Sequence, residues 1–438
     1  MTAPVGSTGR SIRGRELLIG LLFLVPALAV LVTLVVYPIV FTVVRSFFGR
    51  AAGDFVGLAN YREVFTRPAT LRALRNNAIW VVVAPSLVTS LGLVLAVLLE
   101  RVRLATAFKV VIFMPMAISF LAAGVIFRLA YQRDPDQGLL NAAIAGVLDV
   151  VREPGPYPGA RPAEPARFPL EGGAIRSAEA VSTGSAVPIG LVAVRPALVP
   201  EQAVPARPAA VPDGTGLAGT VWSDFTPGAA GVRGEIDPGE LGLPGVQVRA
   251  IATDGSVAGT ASTALDGTYR ITGLQPGEYV VELDADTFRE PFGGYAWLGP
   301  TLVTPAVIGA FIWIWAGFAM VVISAGLAAI PREALEAARV DGGNEWQVFR
   351  HVTVPLLAPV LLVVAVTLAI NVLKIFDLVL IIPPGSSQDD ATVVALEMWR
   401  VSFGGELDQG LGSALAVLLF VLVVPAMALN LRRFRSEP

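Results

Sequence analysis

Few residues in this chain have the type and spacing to do chemistry, and what is missing excludes most reactions. Cysteine is absent from the 438 residues, which removes disulfides, thiolate metal sites and cysteine nucleophiles. His351 is the sole histidine, so neither a histidine metal cluster nor a Ser-His-Asp triad with a second histidine in reserve can be built, and its charged surroundings suit a solvated loop residue. Lys109 and Lys374 are the only lysines. Neither follows a glycine-rich loop, and a phosphate-binding loop needs its lysine to reach the phosphates. If ATP drives this protein, another chain binds it; no cofactor and no metal are expected here, and no enzymatic step. One pair stands out: Lys374 and Asp377, three residues apart in an apolar run that also holds Asn371. A charge at membrane depth costs about 2.5–3.5 kcal/mol on insertion scales, so such groups face a cavity or each other. On one helix face, the pair reads as part of a polar pathway or as a structural ion pair against a neighbour.

Positioning these residues falls to long apolar runs. Of the residues, 54% are hydrophobic and 15% charged, whereas an average soluble domain is about 25% charged. Spanning about 30 Å of hydrocarbon takes roughly 20 residues at helical rise. Six runs suffice, at about 17–44, 77–99, 110–131, 301–329, 359–382 and 411–430. The first follows Arg10, Arg13 and Arg15 and contains Ala27-Leu28-Ala29, which resembles a cleavage site, yet it continues to Val44 and is too long for a signal-peptide core. It is expected as an uncleaved span. With each run crossing once, the N-terminus, the segments Arg101–Lys109 and Arg332–Arg350, and the tail with Arg432, Arg433 and Arg435 share one side, which the arginine bias makes cytoplasmic. Segment 45–76 dissents through Arg45, Arg50, Arg62, Arg67, Arg72 and Arg75 and is outvoted. A net charge of −3 gives no nucleic-acid footprint. The expectation is a multi-pass cell-membrane protein in contact with lipid, with both termini cytoplasmic.

The third and fourth runs are separated by residues 132–300, which this topology places outside. The plan is then three spans in 1–131, a Pro/Ala-rich linker in 132–212, a β-sandwich in 213–290, and three more spans in 291–438 with a cytoplasmic loop at 331–359. Segment 151–212 lacks periodicity and reads as semi-extended, with an ordered binding patch as the alternative. After Asp213, short alternating stretches such as Val246–Ala252 and Tyr279–Leu283 are punctuated by turn residues, the pattern of a small antiparallel sandwich. Through Gly219–Asp224, Asp237–Val246 and Asp266–Tyr279 this part resembles the B-repeat or prealbumin-like domains of bacterial surface adhesins. Some of those hold calcium in an Asp/Asn-rich loop; here the loop from Asp224 to Asp237 is nearly stripped of hard oxygen ligands.

The segment after the fourth run carries the most specific signal. Pro331 opens a helix of good formers through Val340, Asp341-Gly342-Gly343 turns the chain, and a second short amphipathic helix offers Trp346 and Phe349 before Pro355 and Pro359 return it to the membrane. Glu336-Ala337-Ala338, then Asp341-Gly342, Phe349 and Pro355 resemble the EAA loop of binding-protein-dependent ABC permeases, with Gly343 in place of the commoner alanine. That resemblance implies a coupling helix seated in a cleft of an ATPase subunit, small side chains allowing close backbone approach and Trp346 anchoring the contact.

Further strings extend the resemblance to maltose- and α-glucoside-type permeases: Gly57–Tyr61, Phe113–Ser119, Gly138–Asn141, Trp315–Met320, Leu373–Asp377 and Gly412–Val417. It covers the chain outside about 150–290. It implies the type I importer permease fold, six transmembrane helices in an otherwise all-α membrane part, and an oligosaccharide path near Phe120, Trp313, Gly317, Asn371, Lys374 and Asp377. One docking loop per chain implies a second permease subunit, two ABC ATPase subunits and an extracytoplasmic sugar-binding protein. The rival reading is a membrane-anchored adhesin or sensor acting through the sandwich, for which one anchor would suffice. A secondary transporter is disfavoured, since inverted repeats are not evident.

Overall fold

The computed structural model describes residues 22–50, 53–100, 102–151, 153–210, 214–226, 228 and 231–434. Arg10, Arg13, Arg15, Arg101 and Arg435 lie outside them. The chain divides into two compact units, 1–132 with 296–438, and 133–295.

In the first unit, α1 is Leu22–Arg45, α2 Ala59–Val64, α3 Pro68–Glu100, α4 Ala105–Ala117 and α5 Phe120–Ala130. Among the described residues, four helices are long and apolar enough to cross a membrane, or five when the bent pair α4–α5 counts as one span. The third expected run, about 110–131, falls on this pair, which bends by 99°. Pro115 tightens the end of α4, and Ser119 restarts the chain by accepting a hydrogen bond from Ala122 N at 3.2 Å.

The second unit is a β-sandwich behind a helix, α6, Leu139–Val151. Its strands are β1 Arg161–Pro162, β2 Leu170–Glu171, β3 Ala174–Arg176, β4 Val181–Ser182, β5 Ile189–Val192, β6 Gly216–Ser223, β7 Gln247–Ile251, β8 Val257–Ser262, β9 Thr268–Thr272 and β10 Glu278–Leu283. One sheet runs β1-β5-β6-β9; the other runs β2-β3-β10-β7-β8, with β4 also on β10. Alternate residues Val248, Ala250, Tyr269, Ile271, Val281 and Leu283 point into the core.

The linker expectation is corrected by this unit. Tyr157, Phe168, Ile175, Ile189 and Leu191, all from the Pro/Ala-rich segment, are core residues. β5 pairs in parallel with β6, Ile189 opposite Val221. On the other face of β6, Thr220 and Trp222 are buried and line a recess together with Pro188, Pro208 and Ala209, and Thr220 Oγ1 donates to Arg207 O at 2.6 Å. Strands of two to four residues are too short for alternation to show in the sequence, and their order comes from docking on a core built elsewhere. In the Asp224–Asp237 loop, the carboxylates of Asp224 and Asp237 accept from Gly234 N and Val232 N, each at 2.7 Å, so both are engaged by the loop's own backbone.

The chain returns to the first unit with α7 Val303–Ala328, α8 Arg332–Val340, α9 Glu345–Leu373, α10 Asp377–Ile381, α11 Gln388–Ala391, α12 Val394–Phe403 and α13 Gln409–Phe434; the apolar part of α13, Gln409–Pro425, overlaps the sixth expected run, 411–430, but among the described residues it is shorter than the helices that can cross a membrane. The centre is α3 against α7. A Cβ on Gly92 would stand 2.5 Å from Ala319 Cβ, and Trp80 meets Phe311 edge-on at 5.7 Å. Lipid is as apolar as leucine, so such helices associate through close packing of small residues. The fifth span also differs from expectation: α9 starts on the hairpin and stops at Leu373, because Lys374 and Phe376 (φ −138°) leave the helical conformation.

Candidate functional site

Two features of the first unit place the residues singled out in the sequence. The first is the hairpin of α8 and the start of α9. Gly342 takes φ +87°, a left-handed turn that glycine adopts without penalty, and Gly343 N donates back to Ala338 O at 3.0 Å. Asn344 and Gln347 form a reciprocal capping box, both bonds at 2.9 Å. Arg339 Nε donates to Glu345 Oε1 at 2.9 Å, clamping one arm to the other. Next comes one wide turn in which Val354 N donates to Phe349 O, five residues back, so the hairpin runs into α9 without a break. This corrects the expectation of a separate second helix: Pro355 sits in the first turn of the spanning stretch and does not interrupt it.

The surface this presents is consistent in character. Glu336, Ala337, Asp341 and Gly342 are exposed, Ala338 is half-buried, and Pro355 is exposed. Trp346 is 66% exposed, with its ring 5.5 Å from that of Phe349. Behind them a shallow recess of about 350 Å³ is lined by Ala338, Gly342, Gly343, Gln347, Val348 and His351. His351 Nδ1 lies 3.1 Å from Gln347 O. The hairpin is thus a stiff, narrow edge with an exposed indole, suited to insertion into a cleft.

The second feature is the set Phe120, Trp313, Gly317, Asn371, Lys374 and Asp377. Phe120 and Trp313 are 37% and 40% exposed. Gly317 is buried, and any side chain there would collide with the backbone of Ile112 and Phe113 on α4, so its role is close helix packing. Asn371 Nδ2 donates to Thr367 O at 2.9 Å. Lys374 and Asp377 do not share a helix face. They sit on either side of the break between α9 and α10, both exposed, and no ion pair joins them among the described residues.

Sequence reasoning missed a polar cap that ties the ends of distant elements. Asn76 Nδ2 donates to Asp390 O at 2.8 Å and to Thr392 O at 2.9 Å, while Asn77 Oδ1 accepts from Val394 N at 2.7 Å. Asn60 Nδ2 donates to Ser46 O and Phe48 O, each at 2.8 Å. Arg67 joins Glu397 and Glu406. The signal available was Asn76-Asn77 at the head of an apolar run, where paired amides need backbone partners.

Residues 272–433 match the family model of the binding-protein-dependent transport system inner membrane component, and residues 216–291 match that of the SdrD B-like domain. The chain is 28% identical over 420 residues to the osmoprotective compounds uptake permease protein GgtC of Synechocystis sp., covering 95% of this chain and 99% of the relative. It is 27% identical over 420 residues to the alpha-glucoside transport system permease protein AglF of Rhizobium meliloti, covering 95% and 82%. Among solved structures, it resembles a chain of a bacterial ABC transporter involved in import of the acidic polysaccharide alginate, with TM-score 0.54 over 97% of this chain and 98% of that one. At 14% identity this likeness is one of fold, and the fold is that of a type I importer permease.

Proposed function

The chain belongs to the family of binding-protein-dependent inner membrane transport components, and on that premise we propose that it is one of two permease subunits of an ATP-driven importer of an oligosaccharide of α-glucoside or maltose type. The observation that carries the reading is the hairpin: a left-handed Gly342, a capping box and the Arg339–Glu345 clamp present Trp346 on a rigid edge continuous with a spanning helix. An edge fused to α9 passes a push from an ATPase straight into the membrane part. Glu336, Ala337, Ala338, Asp341, Gly342, Trp346, Phe349 and Pro355 are its docking residues. The partners are a second permease forming a heterodimer, two ABC ATPase subunits and an extracytoplasmic sugar-binding protein.

In this reading both termini and the hairpin are cytoplasmic, and residues 133–295 are extracytoplasmic. Transport is alternating access: closure of the ATPases on the hairpin tilts the spans about a site near the membrane midplane, bounded by Phe120, Trp313, Lys374 and Asp377, with Asn371 beside it. Hydroxyls take the charged and amide groups, and an aromatic ring covers the apolar sugar face. No covalent chemistry is needed in this chain.

The name of AglF supports sugar as the cargo class and α-glucosides within it, while GgtC is named for osmoprotective compounds. The test is purification of the chain from its native membrane, followed by reconstitution into vesicles with its co-purified partners. ATP-dependent uptake of labelled maltose or trehalose, with an ATPase co-eluting, is the expected result. Recovery of the chain without an ATPase overturns the reading.

A further inference from the structure

A stair of aromatic rings climbs from the proposed path toward the end of the membrane part. Trp313 on α7 meets Phe127 on α5 edge-on, with centroids 5.3 Å apart at 71°. Phe127 lies 5.5 Å from Tyr131 at 37°, and Tyr131 lies 6.2 Å from Trp297 at 41°. Every step falls within the range of direct aromatic contact. Trp313 is ten residues into α7, about 15 Å from its start at helical rise, and thus near the middle of a hydrocarbon layer of about 30 Å. Trp297 precedes that helix, so the stair covers one leaflet. Phe120 stands two turns before Phe127 on α5 and continues the line below.

The rings divide by exposure. Trp313 is exposed, Phe127 and Trp297 are half-buried, and Tyr131 is buried with its hydroxyl donating to Ala306 O at 2.9 Å. Arg128, next to Phe127, is exposed and spends one nitrogen on Ile381 O at 3.4 Å, leaving further donors. We propose that Trp313, Phe127 and Trp297 form a stacking track for pyranose rings between the extracytoplasmic side and the midplane site, with Arg128 serving sugar hydroxyls and Tyr131 positioning the rings. A pyranose has an apolar face of C–H groups and a rim of hydroxyls, which matches an aromatic surface edged by a guanidinium. Trp313 and Phe127 are in direct ring contact, and the buried Tyr131 links Phe127 to Trp297, so the three faces form one series along which a sugar can step. An interfacial belt of aromatics would sit at headgroup level; this stair descends to mid-membrane. The inference rests on the sugar-importer reading.

Phe127→Leu and Trp297→Leu keep an apolar side chain and remove the ring, whereas Phe127→Tyr and Trp297→Phe keep the ring. In the reconstituted full complex, maltose and trehalose uptake is measured per ATP hydrolysed, with stimulation of ATPase activity by loaded binding protein recorded alongside. The leucine variants should lose about three- to tenfold in sugar moved per ATP, from the loss of a single ring contact, with ATPase stimulation retained, and the aromatic variants should match the wild type. Uptake and stimulation falling together, or neither changing, overturns the track. If a leucine variant fails to assemble, Trp297→Met is read the same way. A wild-type complex that moves neither sugar overturns the importer reading for sugar, and the track with it, a result distinct from failure of the variants alone.

Discussion

The Arg67 guanidinium lies 3.7 Å from the carboxylate of Glu397 on α12 and hydrogen-bonds Glu406 at 2.8 Å, so one cation at the head of α3 holds two acids beyond the fifth span. The acids respond to pH in opposite directions. Burial, the largest cause, raises the Glu397 carboxyl above its ordinary range, while Arg67 and Arg400 oppose it and Glu406 and Asp389 add to the rise. Glu397 is 3% exposed. The hydrogen bond from Arg67 is the largest cause holding Glu406 below its ordinary range. A raised acid contributes stability that is full below its ordinary value and is lost as pH rises through the raised pKa; a lowered acid contributes above its ordinary value and loses it as pH falls. Glu397→Gln should therefore flatten the stability profile above about pH 4.5, and Glu406→Gln should flatten it below. Thermal unfolding of the solubilised protein across that range checks both, and an unchanged profile in Glu397→Gln contradicts the assignment. Arg67→Ala, which leaves Glu397 buried without its nearest cation, should cost about 1–3 kcal/mol.

Gly342 separates conformational from steric effects. No atom lies within 4 Å of a Cβ placed there, but φ is +87°. Gly342→Ala should cost only about 1 kcal/mol for the left-handed backbone and leave coupling intact. Gly342→Pro, locked near φ −65°, cannot form the turn. It should abolish ATPase stimulation by loaded binding protein while the chain still inserts. Normal stimulation in the proline variant would remove the hairpin from the coupling role.

Close approach of α3 and α7 gives a packing test. Gly92→Ala places a methyl 2.5 Å from Ala319 Cβ, so the variant should assemble poorly. Ala319→Gly in the same chain should recover it only in part, because the backbone atoms Ala319 C and Met320 N still lie 2.9 Å from the new methyl, and yield of assembled complex is the measurement. Equal loss in the single and double variants would mean that the strain lies elsewhere.

The legibility of this chain in its sequence followed segment length. Spans of twenty or more apolar residues and a loop with typed positions from Glu336 to Pro355 were readable because each signal is repeated along the segment. The bend at Pro115–Ser119 and the stop at Lys374 were not, since both depend on where a neighbouring helix leaves room: Gly317 admits the backbone of α4, and Gly124 lies against Ile381. The amide cap was invisible for a related reason. Asn77 and Val394 are 317 residues apart in the chain, and nothing local to either announces the other.

The sandwich depends on the segment expected to be a linker. Tyr157, Phe168, Ile175, Ile189 and Leu191 are each at most 2% exposed, and full burial of a large apolar side chain is worth about 1.5–3 kcal/mol. Losing all five forfeits about 7.5–15 kcal/mol, as much as the roughly 5–15 kcal/mol that holds a typical domain folded. A fragment of residues 133–295 should unfold cooperatively, whereas residues 213–291 alone should not. Cooperative melting of the shorter fragment would show that β1 to β5 are dispensable.

Lys374 and Asp377 can be separated as pathway residues or as a structural pair. A pair on one helix face would hold itself together, so removing one charge would strand the other, and removing both would restore assembly. The structure gives them no such contact: α9 ends before Lys374, α10 begins at Asp377, and both side chains are exposed. Exposed charges at the break of a spanning element suit a water-filled path, where a lysine offers three donors to sugar hydroxyls. Lys374→Ala should therefore cut sugar uptake at least tenfold, about 1.4 kcal/mol or more, while leaving the amount of assembled complex and its ATPase stimulation unchanged. Adding Asp377→Ala should leave uptake as low or lower, because it removes a second polar group from the same path. Restoration of uptake in the double variant would mean that the two charges serve each other, and the sugar would then have to be held elsewhere.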